Sequence, residues 1–94
     1  MAKKSKVSKA EQYRDIVESE GAKWKECVVL CFAFKYQMEV ELFHYGLMFE
    51  KPSYYVFDYL EGRANVVATK DEQNTDKISA IAESVGGKRT TPEL

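Results

Sequence analysis

Cys27, Cys31 and His44 are the only cysteine and histidine side chains in this chain. A zinc site needs three or four ligands converging on one point. On an extended strand, cysteines four residues apart share a face about 13 Å apart, so this pair neither converges on a metal nor meets the ~7 Å Cα spacing of a disulfide. A Cys–His nucleophile would need a thiol beside His44, with an acid such as Glu41 to orient the imidazole. Both cysteines instead sit among Val, Leu and Phe, surroundings that raise a thiol pKa. Glu39 and Glu41 form a third option. Two apart on a strand, their backbones lie about 7 Å apart, a spacing used by paired carboxylates in hydrolysis. Lys35 shares their face, no cleft is implied, and a solvated strand face is the simpler reading. No phosphate-binding glycine loop and no GxSxG elbow occurs. The chain is expected not to be an enzyme, with no metal and no cofactor.

Two binding chemistries remain. Lys3, Lys4, Lys6 and Lys9 place four positive charges in residues 1–9, leaving 10 basic against 15 acidic residues, a net −5, in the rest. Such an arm can neutralise phosphates or touch an acidic protein. The order helix, strands, helix invites comparison with double-stranded RNA-binding domains. That family's Gly-Pro-x-His ahead of a strand and Lys-Lys-x-Ala-Lys opening the last helix are both missing. Glu39 and Glu41 would also repel phosphate from the sheet. Nucleic-acid binding through the arm is therefore the alternative. The leading expectation is protein binding. The chain holds 6 Tyr, 5 Phe and 1 Trp, more than two thin layers readily bury. Tyr36, Tyr45, Tyr54, Tyr55 and Tyr59 cluster between positions 36 and 59, tyrosine is enriched at interfaces, and the expected recognition surface is the aromatic and acidic sheet face that they form. Glu39 and Glu41 would set charge complementarity beside them.

These residues need elements to hold them. Ser8-Lys9-Ala10-Glu11 has the form of a capping box, and Ala10, Tyr13, Ile16 and Val17 recur at helical spacing, predicting a helix over 8–20 ended by Gly21. In 27–43 every even position from 28 to 42 is apolar. On a helix, Lys35, Gln37, Glu39 and Glu41 would point to opposite sides; on a strand they share one face. The pattern predicts β structure. One strand of that length would run roughly 50 Å or more, so a break is placed near Lys35. The first half is expected to be covered on both faces and the second half-exposed, with a bend at His44-Tyr45-Gly46. Residues 54–60 are read as strand in preference to a short helix. Glu61-Gly62-Arg63 is read as a hairpin loop into a strand over 64–69. Asn74 or Thr75 is expected to cap a final helix carrying Ile78, Ile81, Ala82 and Val85, ended by Gly86-Gly87.

The expected fold is α+β: an antiparallel sheet of 3–4 strands with an N-terminal and a C-terminal helix on one face, a two-layer sandwich. Residues 1–7 form a basic arm, 8–89 one domain and 90–94 a tail. At 94 residues, 45% hydrophobic and 31% charged, the chain fits a single globular core. It has no apolar run of the ~18 residues that a membrane helix needs and no apolar signal segment behind its basic start. A cytoplasmic protein with reduced thiols is expected. It would act as a small regulator, inhibitor or accessory subunit that binds another protein or a second copy of itself.

Overall fold

The computed structural model describes residues 8–94, with the backbone alone at Tyr54 and Tyr55. The elements run α1 (Lys9–Ser19), a 3₁₀ turn at Trp24–Glu26, β1 (Cys27–Ala33), α2 (Gln37–Glu50), β2 (Tyr54–Leu60), β3 (Arg63–Thr69), α3 (Glu72–Ser84) and β4 (Lys88–Thr90). The four strands form one sheet in the order β2-β3-β1-β4, every neighbouring pair antiparallel. From β1 onward this is a β-α-β-β-α-β chain of the split β-α-β type. Each helical crossover passes over one strand, which fills the gap. The α+β class, the antiparallel sheet and the docking of the terminal helices on it agree with the sequence reading.

Strand parity decides which helix covers which face. Opposite residues on paired strands share a face. Leu30 faces Val66 and Phe32 faces Ala64 across β1 and β3. These residues bury against Val40, Phe43 and Leu47 of α2 and Ile78 and Ala82 of α3. Val29 faces Val67, and that pair buries against Tyr13 and Val17 of α1, with Cys27 alongside. Neighbouring positions on a strand point to opposite sides. So α1 lies on one face of the sheet and α2 and α3 on the other. The terminal helices do not share a face, and the molecule has three layers rather than two. The physical cause is β1, which is apolar at both parities and needs cover on both sides.

Local chemistry sets the element ends. The Ser8 hydroxyl accepts from Glu11 N–H at 3.2 Å while the Glu11 carboxylate accepts from Ser8 N–H at 3.3 Å, the capping box expected for α1. Leu60 and Arg63 are joined by Glu61 and Gly62, both at positive φ (36° and 82°), which matches the twist of a two-residue hairpin. A bulge between Tyr54 and Val56 shifts the register of β2, so that Val56 faces Val67 and Phe57 faces Val66. Asp71, not Asn74 or Thr75, caps α3, accepting from Gln73 N–H at 3.3 Å. Asn74 is buried inside the first turn and staples a loop: its Oδ1 accepts from Ser53 N–H at 2.8 Å, and its amide nitrogen donates to Ser53 O and Thr69 Oγ1. Lys88–Thr90 pair with β1, so Thr90 extends the sheet from within the segment read as tail.

The largest departure is α2. Residues 37–43 are helix, not strand, and His44, Tyr45 and Gly46 lie inside the same helix rather than at a bend. The break near Lys35 exists, but it separates a strand from a helix. Glu39 starts the helix by accepting from Lys35 N–H at 3.1 Å and Tyr36 N–H at 3.3 Å. Gly46 lets α2 approach α3, since a Cβ there would stand 2.7 Å from Ile81 Cγ2.

Candidate interaction surface

α2 is a helix with two apolar faces. Val40, Phe43 and Leu47, at i, i+3 and i+7, are almost fully buried. Phe43 is the hub of this contact, its ring centroid 5.3 Å from Phe32, 5.4 Å from Phe34 and 5.8 Å from Phe57. Met38, Leu42, Tyr45 and Phe49 form a second row at i, i+4, i+7 and i+11. At 100° per residue this row is centred roughly 160° away from the first. It faces solvent: Met38 is 67% exposed, Leu42 48%, Tyr45 71% and Phe49 81%, with Met48 beside them at 53%. Polar residues occupy the flanks. Gln37, Glu41 and His44 lie on one side, and Glu39 and Glu50 on the other.

Isolated exposed apolar residues are ordinary, whereas a contiguous patch of this kind is not. Taking ~200 Å² for each large side chain, the five exposed residues present about 600 Å², at the upper limit for the largest patch on a monomer. Tyr45, Met48 and Phe49 also line a depression of about 210 Å³. The outer surface of the neighbouring α3 is polar, with Gln73, Asp76 and Glu83 exposed. Among the described residues the patch is therefore formed by α2 and has a polar margin.

The residues singled out from the sequence fall into place as follows. Tyr36 precedes α2 as its N-cap and is 61% exposed, with Lys35 Nζ 6.0 Å from its ring centre. Tyr45 lies in the exposed row. Glu41 is exposed on the flank, its Oε2 accepting from Gln37 Nε2 at 3.4 Å. These three belong to a helix and its N-cap, not to a sheet face. Glu39 is occupied by backbone N–H groups as a cap, which leaves it a structural role. The side chains of Tyr54 and Tyr55 are outside the described residues, as are Lys3, Lys4 and Lys6. Lys9 is held by Asp58, with Nζ to Oδ2 at 2.9 Å. Sequence reasoning passed over Met38, Leu42, Met48 and Phe49 as site residues. The 4-3-4 spacing of Met38, Leu42, Tyr45 and Phe49 was the available signal, and choosing β structure hid it.

The opposite face of the sheet carries a polar cluster. Tyr13 Oη donates to Asp58 Oδ2 at 2.7 Å and accepts from Asn65 Nδ2 at 2.9 Å. Burial raises the Asp58 carboxyl, but hydrogen bonds from Tyr13 and Lys9 and the Lys9 charge outweigh it, so its pKa lies below the ordinary value. Burial and the hydrogen bond to Asp58 push Tyr13 up to about 12. The cluster ties α1 to β2 and β3, with Tyr13 neutral and Asp58 charged near neutrality. Burial likewise raises both thiols; Cys27 and Cys31 are buried and unbridged. Among the described residues, no group of three or more His, Cys, Asp and Glu side chains is placed to hold a metal ion. No helix among them is long and apolar enough to cross a membrane. A polar depression of about 250 Å³ lies over Ser53 and Asn74, whose amide is already bonded on both sides.

Comparison with protein-family models, with curated proteins and with solved structures gave no match.

Proposed function

We propose that this chain is a small non-enzymatic protein-binding module, a regulator, inhibitor or accessory subunit, and that the outer face of α2 is its recognition surface. The observation that carries this reading is the exposed row Met38, Leu42, Tyr45 and Phe49 on a helix that already buries its opposite face. Leaving that much apolar surface in water costs solubility without stabilising the monomer, and cover by a partner recovers it. Tyr45 and Phe49 supply the aromatic anchors typical of interface centres. Tyr36 and Glu41 stand at the margin, where charge and hydroxyl groups select among partners. Buried, unpaired thiols suit a reducing compartment, and the reading places the protein in the cytoplasm. The nucleic-acid alternative retains Lys3, Lys4 and Lys6 but loses a free Lys9, whose ammonium is held by Asp58.

Photo-cross-linking tests this directly. A benzophenone side chain placed at Tyr45 is expected to give a discrete adduct in the cells that make the protein. The same group at Glu83, exposed on α3, is expected to give none. Absence of any adduct from position 45 would refute the assignment.

A further inference from the structure

We infer that the occupant of the α2 surface is a second copy of this chain, the two α2 helices packing antiparallel about a two-fold axis that passes between Leu42 and Tyr45. This rests on the reading of α2 as a recognition surface and names its partner.

Three observations support it. The first is the spacing. Met38, Leu42, Tyr45 and Phe49 are separated by 4, 3 and 4 residues, a pattern that is unchanged when read backwards. In a two-fold contact, residue i meets j while j meets i. Antiparallel pairing then sets Met38 against Phe49 of the second copy and Leu42 against Tyr45 of the second copy, twice each. No large apolar side chain of the row is left without an apolar counterpart. This 4-3-4 step is the ordinary spacing of an apolar helix stripe, and it satisfies the self-complementarity that a two-fold contact requires.

The second is the helix dipole. The two α2 dipoles run in opposition, which favours the antiparallel arrangement over the parallel one. Like flanks meet in this packing, so Glu39 of one copy comes level with Glu50 of the other, and association is expected to tighten as salt screens these carboxylates.

The third is area. About 600 Å² from each copy gives roughly 1,200 Å² for the pair, the lower bound of stable specific interfaces. The exposed polar outer face of α3 supplies a rim.

Sedimentation of the purified full-length chain over roughly 1–500 µM tests the pairing. The expected result is a concentration-dependent rise from 10.8 kDa toward twice that mass. Leu42→Glu is expected to weaken association at least tenfold while leaving the far-ultraviolet circular dichroism unchanged, because Leu42 is a surface residue of the monomer. A mass fixed at the monomer value across the range would overturn the second copy as occupant. So would a Leu42→Glu dimer as tight as the parent. If an adduct from position 45 then carries a different protein, the recognition surface stands and only its partner changes. Register is read from disulfides formed in air with a copper catalyst. Met38→Cys and Phe49→Cys chains should cross-link when mixed, and neither should cross-link alone. Self-cross-linking of Met38→Cys alone would overturn the antiparallel arrangement.

Discussion

Two phenylalanines six residues apart on α2 should behave as if they belonged to different proteins. Phe43 is fully buried and touches three other aromatic rings, whereas Phe49 is 81% exposed. Replacing a buried Phe by Ala costs about 3–5 kcal/mol through lost transfer energy and the cavity left behind. Three ring neighbours put Phe43→Ala near the top of that range. A domain of this size holds about 5–14 kcal/mol in total, so the substitution removes between a third and nearly all of it. With a urea dependence of about 1.5–2 kcal/mol per molar, the unfolding midpoint falls by roughly 2–3 M. Phe49→Ala should move it by no more than about 0.3 M, because surface changes stay within ~0.5 kcal/mol. The assay is urea unfolding followed by circular dichroism at about 1 µM, a dilution chosen to favour the monomer. Equal losses from the two substitutions, or a greater loss from Phe49→Ala, would mean that α2 is rotated about its axis, and the exposed row would no longer exist.

Other expectations concern the rest of the fold. The Asp58 pKa is depressed in the folded state, so its stabilisation is complete above its unfolded value of about 3.9 and is lost as pH falls through the folded value. Asp58→Asn should cost about 1–2 kcal/mol at pH 7 and flatten the acid limb of the stability curve; an unchanged acid limb refutes the cluster's role. Asn74→Ala should cost about 1–3 kcal/mol, since it leaves Ser53 N–H and O without their buried partner, and thermal unfolding that matches the parent would contradict this. Cys27 and Cys31 should resist a chromogenic disulfide reagent in the native protein and both react once it is unfolded; rapid native labelling of either would reopen thiol chemistry.

How far the sequence was legible varies element by element, for physical reasons. The α1 capping box and the Glu61-Gly62 hairpin were readable because local chemistry alone decides them. The double coverage of β1 was readable from Cys27, Val29 and Cys31 alternating with Val28, Leu30 and Phe32, yet its consequence, a helix on each side, was not drawn. α2 was misread because a helix with two apolar faces breaks the single-stripe rule. Its even positions 38, 40 and 42 imitate a strand, although Val40 points to the core and Met38 and Leu42 to solvent. Asn74 looked like a cap, but tertiary contact with Ser53 claims its amide. The Lys9–Tyr13–Asp58–Asn65 cluster joins residues more than 40 positions apart, which no local pattern reveals. Of the candidate site, Tyr36, Glu41 and Tyr45 were found for their residue types, while the apolar row that unites them depends on helical geometry.

The central claim is that the outer face of α2 is covered when the protein works. Hydroxyl-radical footprinting measures this without assuming what covers it. In the cells that make the protein, Met38, Met48 and Phe49 should be labelled several-fold less than in the purified chain at ~1 µM, while Ile16 and Leu94, exposed elsewhere, should be labelled equally in both. Equal labelling of Met38 and Met48 in the two settings would contradict the account.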